Sequence, residues 1–77
     1  MNGAIRQIVS FQAIGESGNT WTIIKFVKER GTPHKMTLSP PWFETEGGLA
    51  VQATDEQGGV FEIIGIGTVR RVGPLVP

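Results

Sequence analysis

Glycine and proline cut this chain so often that few folds remain open to it. The longest stretch free of both runs only from Asn19 to Arg30. Helical bundles are built from several uninterrupted helices of ~10–14 residues. Here even the longest run is filled with Thr20, Trp21, Thr22, Ile23, Ile24, Phe26 and Val27. Those β-branched and aromatic side chains suit a pleated surface. Eleven Gly and five Pro make 16 of 77 residues, about 21% against a typical ~12%, so turns dominate the chain. A chain this short buries roughly 60% of the surface its unfolded form exposes. The expectation is one small turn-rich β domain over residues 1–72, with Gly73-Pro74-Leu75-Val76-Pro77 as a tail. Leu75-Val76-Pro77 also has the form of the start of a protease-site linker.

Alternation places the strands. In Ala4 to Ile14 the odd positions carry Ile5, Val9, Phe11 and Ala13, which points Val9 and Phe11 to the core. Gly15 to Asn19 supplies a hairpin loop. Thr20 to Lys28 puts Trp21, Ile23 and Val27 on one face and Ile24 and Phe26 on the other, as in a central or barrel strand. Gly31-Thr32-Pro33 should end it. His34 to Ser39 makes a short third strand, and Pro40-Pro41 should stop that one, leaving residues 40–48 as a loop. Leu49 to Thr54, Val60 to Ile64 and Thr68 to Val72 follow, separated by the Asp55-Glu56-Gln57-Gly58-Gly59 turn and the Gly65-Ile66-Gly67 bend. The fold class is therefore all-β: an antiparallel meander of five or six strands curling into a small SH3-like or OB-like barrel. A β-roll with one short helix at residues 40–47 is the rival.

Chemistry-bearing residues are few. The chain has no cysteine and one histidine, His34, which rules out disulfides and thiolate zinc sites. A nucleophile–histidine pair would have to use His34 with Ser10, Ser17 or Ser39, and His34 reads as a solvated turn residue. The carboxylate pairs Glu44/Glu46 and Asp55/Glu56 read as solvated turns, because paired-carboxylate catalysis needs a cleft that a domain of this size rarely builds. Gly65-Ile66-Gly67 lacks the third glycine and following helix of a dinucleotide fingerprint. The expectation is a non-enzymatic protein with no cofactor and no metal. No segment reaches the ~18 apolar residues of a membrane span, and no export signal is visible, so the expected location is the cytoplasm of a bacterial-type cell.

Two features could carry binding. Seven Lys/Arg balance seven Asp/Glu, but not evenly along the chain. Residues 25–35 hold Lys25, Lys28, Arg30 and Lys35 against Glu29 alone, while residues 44–62 hold five acids and no base. Joined by Arg70 and Arg71, the basic segment would make a positive patch of the kind small barrels use for nucleic acid. The second feature is Ser39-Pro40-Pro41-Trp42-Phe43, where two prolines stiffen the chain beside two large aromatics. One reading makes this a plug that closes an end of the barrel. The other makes Pro41, Trp42 and Phe43 an exposed anchor for a protein partner or a second copy, since Trp often dominates interface energy. The leading expectation is a protein-interaction module, and the alternative is a nucleic-acid-binding barrel.

The run from Leu49-Ala50-Val51-Gln52 through Asp55 to Gly59, Val60-Phe61-Glu62-Ile63-Ile64, Gly65-Ile66-Gly67 and Arg70-Arg71-Val72 resembles the ending of small bacterial β-rich proteins of uncharacterised function. Such proteins also open with a hairpin strand like Thr22-Ile23-Ile24-Lys25-Phe26-Val27. The resemblance spans about half of the chain. It implies a shared small β fold and transfers no activity.

Overall fold

The two longest turn-free runs become the two longest strands. In the computed structural model, which describes residues 4–32, 34–55 and 57–77, β1 (Ala4–Gly15) and β2 (Thr20–Thr32) form one long antiparallel hairpin. Their register runs from Ala4 opposite Glu29 to Ile14 opposite Thr20, with a bulge at Ile8. The hairpin turn is closed by the Gly15 N–H on the Asn19 carbonyl at 2.8 Å. β3 (Lys35–Leu38), β4 (Trp42–Thr45), β5 (Ala50–Ala53), β6 (Val60–Ile63) and β7 (Gly67–Arg71) follow. All pairings are antiparallel.

Six strands close a ring in the order β1-β7-β6-β5-β4-β2, sealed by the β1–β2 pairing, and β3 adds to β2 outside it. The chain is thus an all-β small barrel, with no helix among the described residues. The inward residues Phe11, Ala13, Ile23, Val51, Phe61, Ile63 and Val69 are buried together. Each large side chain so buried contributes about 1.5–3 kcal/mol. Phe43 and Trp21, both half-buried, pack against this cluster. The first half of β1, the second half of β2 and all of β3 extend past the ring as a three-stranded arm. The arm explains a radius of gyration of 13.8 Å where a compact chain of this length would show about 11.5 Å.

Two sequence expectations need correction. β2 does not end before Gly31. It continues to Thr32, because Gly31 takes φ +114° and pairs with Met36. A Cβ at Gly31 would sit 2.1 Å from the Lys35 carbonyl oxygen, so only glycine lets the two strands approach here. Residues 40–48 are not simply a loop either. Ser39 still bonds to Lys28, and Trp42 already faces Phe26. Pro40 and Pro41 together therefore oppose Val27 alone. This is a bulge built from residues that could not have donated to the ladder. β3 and β4 follow one another along the same edge of β2, so the sheet has seven strands, of which six close the barrel. Pro33 and Glu56, assigned above to turns, lie outside the described residues.

The segment 73–77 is not a free tail. The Ser10 and Val76 backbones exchange two hydrogen bonds of 2.8 Å, which lays the chain end back across β1.

Candidate functional site

Strand alternation separates the two aromatics that the sequence sets side by side. Successive residues of a strand point to opposite faces. Phe43 turns into the barrel, 5.2 Å from Phe61 and 6.3 Å from Phe11 between ring centroids. Trp42 turns outward, and its indole stacks on Phe26 at 5.7 Å and 24°. Phe43 therefore does not join Pro41 and Trp42 in one exposed anchor, because alternation turns it onto the core, and Trp42 is half-buried on the outer face. Pro41 is exposed at the head of β4.

Around Trp42 the outer face is built by register. Phe26 stands directly opposite it, and the next outward residue of β4, Glu44, accepts the indole Nε1–H at 2.8 Å. That bond satisfies the polar edge of a half-buried indole and fixes its plane. Further along β2 the same face carries Lys28 and Arg30. Thr37 and Lys35 of β3 lie beside them, opposite Arg30 and Thr32. Ile5 of β1, opposite Lys28, adds an apolar side chain that is 63% exposed. Lys28, Arg30 and Lys35 thus share one surface with the Phe26–Trp42 stack. β3 has no partner on its far edge among the described residues.

The remaining basic residues go elsewhere. Lys25 and Arg71 occupy inward positions of β2 and β7, the two strands that flank β1. Both line one cavity of about 190 Å³ at the end of the barrel near the β5–β6 turn, over Phe11, Phe43 and Phe61. Lys25 Nζ lies 5.9 Å from the centroid of Phe43. Arg70 faces outward opposite Ile14, whereas Lys28 faces outward opposite Ile5. Nine positions of extended chain separate those rows, roughly 30 Å at ~3.3 Å per residue. Lys25, Lys28, Arg30, Lys35, Arg70 and Arg71 therefore form three separate basic sites and not one patch.

The acids are dispersed as well. Asp55 Oδ1 accepts the backbone N–H groups of Gly58, Gly59 and Val60 at 3.0, 3.0 and 3.3 Å, so its carboxylate organises a turn. Glu44 serves Trp42. His34 is exposed, and the Ser39 hydroxyl accepts the Lys28 N–H at 2.9 Å. No group of three metal-ligating side chains converges among the described residues. Within the same residues no helix is long and apolar enough to cross a membrane. Comparison with protein-family models, with curated proteins and with solved structures finds no match to this chain.

The sequence reading missed Phe26 as the partner of Trp42, although it placed Phe26 on the outer face of β2. The signal lay in that alternation. The register that sets Phe26 against Trp42 depends on the two-proline bulge and could not be read locally.

Proposed function

We propose that this protein is a binding module that takes an extended, acidic segment of a partner protein along β3 and over the Phe26–Trp42 stack. The observation that carries this reading is the continuity of three things on one surface: an aromatic pair, the basic residues Lys28, Arg30 and Lys35, and a strand edge without a neighbour among the described residues. A strand added to β3 would form backbone hydrogen bonds, its acidic side chains would face Lys35 and Arg30, and an apolar side chain would reach Trp42. Binding is its role and no chemical step is assigned to it.

Nucleic acid is the second reading, supported by the same cations beside a stacked aromatic pair. Glu44 weighs against it, because its carboxylate lies at the indole edge where a phosphate backbone would pass.

Titration with an alternating glutamate–valine decapeptide and with a thymidine oligonucleotide separates the two. The peptide should shift the β3 amides and the Trp42 indole N–H. Trp42→Ala should weaken it about thirtyfold, the equivalent of ~2 kcal/mol for a central aromatic anchor. Tighter binding of the oligonucleotide that falls steeply with salt and is lost on replacing Lys28, Arg30 and Lys35 would install the second reading. Saturable binding of neither would reject both.

A further inference from the structure

The inward face of a small barrel is where charge is least expected, yet Lys25 and Arg71 both stand there. In β2 the inward row reads Trp21, Ile23, Lys25, Val27, and in β7 Arg71 follows the buried Val69. Both are half-buried, and drawing a cation even partly out of water is costly unless something answers it. Among the described residues neither side chain makes an ion pair. Both open onto the same cavity, whose floor is the triad of Phe11, Phe43 and Phe61, with Phe11 and Phe61 only 5.0 Å apart. Leu75, brought across β1 by the Ser10–Val76 hydrogen bonds, forms one wall.

We infer that this end of the barrel is a binding site for a small carboxylate with an aromatic or branched apolar body. The charge would lie between Lys25 and Arg71 and the body on the three phenylalanines. Size bounds the ligand. A cavity of about 190 Å³ is smaller than the ~300–1,000 Å³ of drug-sized pockets, so it admits a fragment and not a nucleotide. Charge fixes its sign, because two cations from the strands on either side of β1, lining one cavity, suit an anion. The three rings fix the apolar part, since their faces and edges offer offset and edge-on packing to another ring. A free acid and the C-terminal carboxylate of a peptide ending in an aromatic residue share this chemistry. The site is independent of the Trp42 surface.

The test is an amide-resolved titration of the whole chain with four probes. These are benzoate, benzamide, a flexible pentapeptide ending in phenylalanine with a free carboxylate, and the same peptide amidated. Saturable shifts at Lys25, Gly58 and Arg71 with either carboxylate, and much weaker ones with its amide, are expected. Response to benzoate identifies a free acid as the source, and response to the peptide alone identifies a chain terminus. Lys25→Gln and Arg71→Gln should each weaken the carboxylate at least about tenfold, the modest end of a charge-assisted contact. Trp42→Ala should leave it unchanged. Equal binding of benzoate and benzamide would overturn the assignment, as would the absence of saturable shifts with all four probes up to about 10 mM, weaker than any specific site of interest.

Discussion

Trp42 and Phe26 face each other across β4 and β2 with their rings 5.7 Å apart and 24° from parallel. Both are half-buried on the outside of the barrel, so the pair stabilises the fold only at its surface. We expect Trp42→Ala to lower stability by about 1–2 kcal/mol, the scale of a surface aromatic pair with partial burial. Phe43→Ala should cost about 3 kcal/mol, as for a ring lost from a packed core. Denaturant midpoints of the two variants check this. A Trp42 variant less stable than the Phe43 variant would reverse the assignment of outside and inside.

Gly31 lets β2 and β3 meet, and an added methyl would collide with the Lys35 carbonyl. Gly31→Ala should therefore release β3 while the ring survives. The strain at such a position exceeds the ~1 kcal/mol of an ordinary glycine replacement. Hydrogen exchange reads the outcome: the Thr37 and Ser39 amides, which point at β2, should lose protection, whereas Ile23 and Ile63 keep theirs.

How far the chain could be read in advance follows from where the information lies. β1, β2, β5, β6 and β7 were legible because alternation and turn chemistry are local. Phe11, Ile23, Phe61 and Ile63 faced inward for that reason. β4 was not legible, because Pro40-Pro41 signals an end to pairing, and only the register of β2 shows that two residues were skipped against Val27. The surface around Trp42 and the cavity under Lys25 depend on the same long-range register. The sequence shows a lysine at an odd position of β2. Only ring closure shows that Arg71 shares its cavity.

Asp55 holds three backbone N–H groups of its turn. Asp55→Ala should destabilise by about 1–2 kcal/mol, as three donors lose an acceptor and turn to water. Asn keeps an oxygen at the same place and should recover part of the loss. Thermal unfolding of the two variants, with the asparagine variant the more stable, is the expected ranking.

Arg6 and Glu29 form an ion pair of 2.7 Å on the arm, with the Arg6 side chain 65% exposed. Solvent and salt screen such a pair, so Arg6→Gln should change stability by less than about 1 kcal/mol. A larger effect in a chemical-denaturation curve would mean that the arm is held by charge rather than by its backbone ladder.

Ring closure also sets an order of events for a chain as it is made. β1 is made before every other strand of the ring, yet one of its two neighbours is β7, the last of them, and Ala13, Ile14 and Gly15 pair across that seam. Until residue 71 is available, the β1–β2 hairpin stands with Phe11 and Ile23 exposed and no lid over them. The nascent ring therefore stays adhesive until its last strand is made, and what protects it is the short span of chain between the hairpin and the strand that shuts it.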